Sequence, residues 1–234
     1  MATGALSSAY GFGSLASGLN SSAYGNGSQA IGESSFAGGF GSSASGASSV
    51  AIGDAPQATQ LRAVAIGFTA QASGTNSTVV GASGIASGAG SSAYGAFTTA
   101  SATNANALGG GGDGVTTFGA RATNTNATAV GFNSLASGAS SVAVGDSSTA
   151  TGTNSTAVGA SNTVNGNNSG ALGTGQTVNG NGSFAIGDPN QAARLHPARQ
   201  WPLPTAVSSI YRAPWRCVLH VHAVCLQSHS AHSR

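Results

Sequence analysis

Small residues alternate with larger apolar ones along this chain, in short words that close on glycine. Ser49-Val50-Ala51-Ile52-Gly53, Ser141-Val142-Ala143-Val144-Gly145, Ser155-Thr156-Ala157-Val158-Gly159 and Ser183-Phe184-Ala185-Ile186-Gly187 are variants of one word. An alternation of period two is that of a strand, whose successive side chains point to opposite faces. The closing glycine recurs as an anchor at Gly11, Gly25, Gly39, Gly53, Gly67, Gly81, Gly95, Gly109, Gly131, Gly145, Gly159, Gly173 and Gly187. Eleven of these twelve intervals are 14 residues and the other is 22. A second glycine follows seven residues after most anchors, at Gly18, Gly32, Gly46, Gly74, Gly88, Gly138, Gly152, Gly166 and Gly180. Ala or Val stands two residues before it, as at Ala72, Ala136 and Val164.

Fourteen residues are too few for a helical hairpin, but they hold two short strands and two tight turns. Glycine supplies the turn conformations, and Asn165-Gly166 and Asn179-Gly180 add turn signal. The predicted fold class is all-β: a parallel β-roll or solenoid of 14-residue coils over residues 1–192. About thirteen coils at the strand spacing of ~4.8 Å make a rod of roughly 60 Å. The small residues would fill a narrow interior. The larger ones, Ile52, Ile66, Val130, Val144, Val158, Leu172 and Ile186, would form an apolar row along one outer face. Such a stripe marks an interface, and a thin coil draws its stability from its neighbours.

Composition sharpens the boundaries. Only 5% of the 234 residues are charged, and no Lys is present. Ordinarily a chain this rich in Gly, Ala and Ser reads as low-complexity, but disorder has no reason to keep register. A net charge of +2 points to no nucleic-acid partner. Residues 191–234 hold five Arg, all five His, both Cys, both Trp and no Gly. They form a non-repeat tail, 193–234, expected to be frameshifted and disordered. Glycine codons read one base out of frame give Arg or Trp, and Arg194, Trp201 and Trp215 stand where repeat glycines are due. At the other end Ala2 and Gly4 are already in phase, so the chain begins inside a coil. No export signal, stalk heptads or transmembrane run is visible.

Several local patterns invite a chemical reading. Cys217, His220, His222 and Cys225 are metal-ligand types at close spacing, without a standard zinc knuckle. A Cys217–Cys225 disulfide is the better reading if the chain is exported. Gly109 to Gly114 reads Gly-Gly-Gly-Gly-Asp-Gly, but lacks the Lys of a phosphate loop. It coincides with the long interval and is read as an insertion loop at about 109–130, a candidate for partner contact. A second irregular turn, Asp54-Ala55-Pro56-Gln57, precedes Gln60, which replaces a mid-repeat glycine. Asn20, Asn76, Asn126, Asn154 and Asn181 open Asn-x-Ser/Thr patterns, and Asn168 recurs in the same turn. Their phase is explained by a turn role rather than by glycosylation. Residues 1–190 contain Ser in abundance but neither His nor Lys to activate it, so no enzyme, cofactor or small-molecule substrate is expected.

The words Ser-Val-Ala-Ile-Gly and Asn-Ser-Thr-Ala-Val-Gly (Asn154 to Gly159), at 14-residue spacing, resemble the head repeats of YadA-like trimeric autotransporter adhesins, the Hep/Hag haemagglutinin-type repeats. The resemblance covers roughly residues 2–192. It implies a left-handed β-roll, a homotrimer, and a cell-surface or outer-membrane head that binds host matrix proteins or cell-surface receptors. The anchor glycines are then structural, and the apolar row is the trimer interface. Two other roles fit the repeat: a structural solenoid of a phage fibre or coat, and an ice-binding solenoid. The latter needs an in-register Thr ladder, whereas Thr78, Thr128 and Thr156 are intermittent.

Overall fold

The computed structural model of the chain describes residues 1–187. The tail at 193–234, with Cys217, His220, His222 and Cys225, lies outside the described residues, as does Asp188. Successive coils contribute a first strand, most often three residues ending just before the anchor glycine, and a second, two-residue strand. Val50–Ile52 and Gln57–Ala58 are one such pair. The first strands stack into a 13-stranded sheet and the second into a 12-stranded sheet, each in sequence order. All pairings are parallel, and partners keep the repeat register, as in Val50↔Val64, Ala51↔Ala65 and Ile52↔Ile66. The expected all-β solenoid of 14-residue turns is the observed fold.

Alternation decides what lies inside. Ser49 and Ala51 point inward and are buried, whereas Val50 and Ile52 point outward. The interior is a narrow column of Ala from each sheet, Ala51 and Ala58 among them, flanked by buried Ser. Space there is tightly matched. Val79 replaces an Ala, and the same coil carries Gly84, where a Cβ would sit 2.7 Å from Val79 Cγ1. Hydroxyls of buried Ser91 and Ser155 donate to the carbonyls of Gly88 and Gly152, three residues back (2.7 and 2.6 Å). Those of Ser21, Ser35, Ser49, Ser77 and Ser141 make no bond, although a rotation about χ1 would aim each at the equivalent carbonyl.

The two glycines of a repeat are required for different reasons. Gly145 has φ +116°, and a Cβ on it would collide with the Gly159 carbonyl of the next coil. Gly152 has no positive φ, yet a Cβ there would collide with Gly166. The second position does admit Gln60, Ala102 and Asn124. In those coils the inward residue three positions later is Ala63, Ala105 or Ala127 rather than Ser. At Gly166 a Cβ, besides meeting the Gly180 carbonyl, would lie 2.7 Å from Ser169 Oγ, so there a side chain and the Ser three residues later compete for space.

Each tight turn is completed by a left-handed residue. Asn20, Asn76, Asn126, Asn154 and Asn168 fill this position with φ between 52° and 56°, the range Asn tolerates best among non-glycine residues. Asn181 falls one residue early, and Gly182 takes the left-handed place at φ 63°.

The last described coils hold larger inward side chains. Val164 and Val178 replace inward Ala, and Asn162 and Gln176 replace inward Ser. The Asn162 amide donates to the carbonyls of Val158 and Gly173 (2.8 Å each) and accepts the Gln176 N–H (2.9 Å). Gln176 Nε2 donates in turn to the Gly187 carbonyl. The first strands lengthen here, to Thr156–Ala160 and Gly170–Thr174.

Candidate functional site

Among the described residues no three His, Cys, Asp or Glu lie together. The candidate sites are therefore the outer faces, which the strands position as columns of side chains.

The 13-stranded sheet presents the apolar row. All seven residues picked from the sequence, Ile52, Ile66, Val130, Val144, Val158, Leu172 and Ile186, project from its outer surface in one register column. Tyr10, Tyr24, Val80, Tyr94 and Leu108 belong to the same column and were missed. Their signal lies in the sequence, because each directly precedes an anchor glycine. The sole gap, Gly38, is roofed by the Phe36 ring, since a Cβ there would lie 2.8 Å from it. Tyr24 packs on that ring from the adjacent coil, with centroids 6.0 Å apart. The row is partly exposed along its length, with Ile52 at 39% and Tyr94 at 41%, and most open at its ends, where Tyr10 is 77% and Ile186 70% exposed.

The 12-stranded sheet presents the opposite chemistry. Ser45, Thr59, Ser73, Ser87, Ser101, Thr123, Ser137 and Thr151 form one outward hydroxyl column, a second signal the sequence reading did not assemble. Beside it runs a mixed column containing Gln57, Gln71, Thr99 and Thr149, in which Arg121 is the only charge. Towards the end of the described chain amides link successive coils: Asn165 Nδ2 donates to Asn179 Oδ1 (2.8 Å), and the Thr153 N–H to Asn167 Oδ1 (2.8 Å). Thr78, Thr128 and Thr156 lie on the other sheet, in a column that Val64, Asn106 and Val142 interrupt.

Among the described residues the insertion loop is the one departure from the 14-residue spacing. The eight surplus residues fall in the turn between Gly109 and Ala120, a narrower place than the expected 109–130. Asp113 organises it. Its Oδ1 accepts the N–H groups of Val115, Thr116 and Thr117 (2.9, 2.8 and 2.9 Å), and its Oδ2 the Thr116 hydroxyl (2.6 Å). The Thr116 hydroxyl and these amides hold the carboxyl well below the usual carboxylate range. Phe118 closes the loop, with the Arg121 guanidinium 4.7 Å above its ring.

Fold and faces together define a class: a regular parallel β-solenoid that keeps its chemistry on its outer surfaces. The family model described as "YadA head domain repeat (2 copies)" matches residues 30–55, 58–83, 122–148 and 150–175. The chain therefore belongs to the YadA-like head domains of trimeric autotransporter adhesins. No curated protein matches it. The matched segments leave out the stretch from 84 to 121, which contains the insertion.

Proposed function

We propose that this chain is the head segment of a cell-surface adhesin that assembles as a homotrimer and attaches bacteria to host matrix proteins or cell-surface receptors. The observation that carries the reading is the apolar column on the 13-stranded sheet, interrupted only at Gly38 among the described residues. An isolated coil buries little beyond Ala methyls, each worth about 0.8 kcal/mol. The larger Ile, Val, Leu and Tyr side chains remain outside, where only another molecule can cover them. Packing copies along Ile52, Ile66, Val130, Val144, Val158, Leu172 and Ile186 removes that surface from water. It leaves the hydroxyl sheet and the turns free to meet a target. In this reading residues 1–192 are the head and the anchor glycines are structural, with no catalytic group.

Light scattering on the purified chain tests the assembly, with a mass of three chains expected. Ile66→Asp and Val144→Asp should shift the mass towards one chain while strand content is retained. A wild-type mass of one folded chain would sink the proposal. Attachment is tested on immobilised matrix proteins against an albumin surface, and equal retention on both would remove the adhesive role.

A further inference from the structure

A regular ladder has a defect as an interface. One coil along, Ile52 is replaced by Ile66 and then Val80, and Val130 by Val144 and then Val158. Two copies packed along such rows can slide by a coil and regain nearly the same contacts. They lose about one coil's worth in thirteen. Uniform strands of this kind specify register weakly, and natural assemblies add a feature that sets one alignment apart.

The loop between Gly109 and Ala120 is the strongest interruption of the repeat, and it begins at the edge of the apolar row, directly after Leu108. Its form is fixed. Asp113 ties down three successive amides, and the Gly114 N–H donates to the Thr117 carbonyl (2.9 Å). It is seated on the turns of both adjacent coils. A Cβ on Gly114 would lie 2.6 Å from the Phe97 ring, and one on Gly111 2.7 Å from the Phe132 ring. This rigid base presents Val115, 79% exposed, at the tip. An apolar residue held outward on an ordered loop beside an apolar row matches the chemistry of that row.

We propose that this loop is the register key of the assembly: Val115 docks on the apolar surface of a second copy of this chain and makes one axial alignment more stable than its neighbours. The proposal rests on the reading that copies pack along the apolar row.

Photocrosslinking of the full chain separates the two ideas. Benzoylphenylalanine at Tyr94 reports which partner residues lie opposite. With the loop intact, crosslinks should fall within a single 14-residue interval of the partner. Deleting residues 110–117 restores the 14-residue spacing, with Gly109-Phe118-Gly119-Ala120 resembling Gly11-Phe12-Gly13-Ser14. In this variant the crosslinks should spread over several coils in steps of one repeat. Val115→Asp, which leaves the Asp113 bonds in place, should give the same spread and decides alone if the deletion does not fold. A single interval in the folded variants overturns the proposal while the assembly reading stands. Absence of inter-chain crosslinks in the wild type, with a one-chain mass, overturns the assembly reading and this proposal with it.

Discussion

The anchor glycines carry two separable costs, and Gly145→Ala measures them. At φ +116° the backbone lies in a region that side chains rarely enter, and forcing Ala there costs about 1–3 kcal/mol. The new methyl would also lie 2.7 Å from the Gly159 carbonyl carbon, with the oxygen nearer still. Overpacking of this kind adds another ~1–3 kcal/mol. The sum is roughly 2–6 kcal/mol. Gly152→Ala meets similar crowding, 2.5 Å from the Gly166 carbonyl carbon, but without positive φ. It should cost only ~1–3 kcal/mol. The chain carries the same ordering, because Gln60, Ala102 and Asn124 stand at the second position while every anchor is Gly. A solenoid can open in sections, so one unfolding midpoint would blur the effect. Native-state hydrogen exchange at Val142, Val144 and Val158 reads the affected coils directly. Gly145→Ala should speed exchange there at least ~5-fold more than Gly152→Ala, from the ~1 kcal/mol lower bound of the backbone cost at ~1.4 kcal/mol per factor of ten. Indistinguishable exchange in the two variants would refute the claim that backbone conformation, beyond crowding, makes the anchor invariant.

Two further outcomes follow from local geometry. Gly166→Ala and Ser169→Ala should be coupled by roughly 0.5–3 kcal/mol in a double-mutant cycle read by urea unfolding, with the second change milder in the presence of the first; strict additivity would mean that the 2.7 Å approach of a Cβ to Ser169 Oγ does not explain the Ala63, Ala105 and Ala127 pairings. Asp113→Ala should accelerate amide exchange at Val115, Thr116 and Thr117 and leave the stacked coils unchanged. Because the folded-state pKa of Asp113 is depressed, the loop order it provides is present above the unfolded pKa and is lost only as pH falls through the lower folded value. Amide resonances of Val115 to Thr117 should therefore persist through the ordinary carboxylate range, and loss of order within that range would contradict the bonding described.

The repeat made the fold legible because its period states both the strand alternation and the coil length. The inward placement of Ala51 and the outward placement of Ile52 need only the alternation and a narrow interior. Other features depend on contacts between coils, which no single word contains. Phe36 covering Gly38 is one, since the residues stand on one strand but the ring matters only for the column above and below. The larger inward residues of the last described coils are another. Asn162 and Gln176 look like irregular substitutions for Ser until their amides are seen to satisfy Gly173 and Gly187 in the following coil. The hydroxyl column was hidden for a different reason: Ser and Thr are so common in this chain that a column of them stands out only after the second strands are placed in one sheet.

That hydroxyl face bears on how the proposed attachment would work. Within residues 1–187 the charged side chains are Glu33, Asp54, Asp113, Asp146, Arg62 and Arg121, spread along the rod. Neither the hydroxyl column nor the apolar row contains a cluster of one sign, so the described residues create no field strong enough to steer a charged target. Binding by such a surface must rest on many weak hydrogen bonds and apolar contacts repeated along the coils, and neither is screened by salt. Attachment measured by surface retention should therefore change less than about twofold between roughly 50 and 500 mM salt, whereas an interface built on exposed ion pairs would weaken steeply across that range. A steep fall would place the binding chemistry on the few charges, with Arg62 and Arg121 the first to replace, and would remove the hydroxyl sheet from consideration as the contact surface.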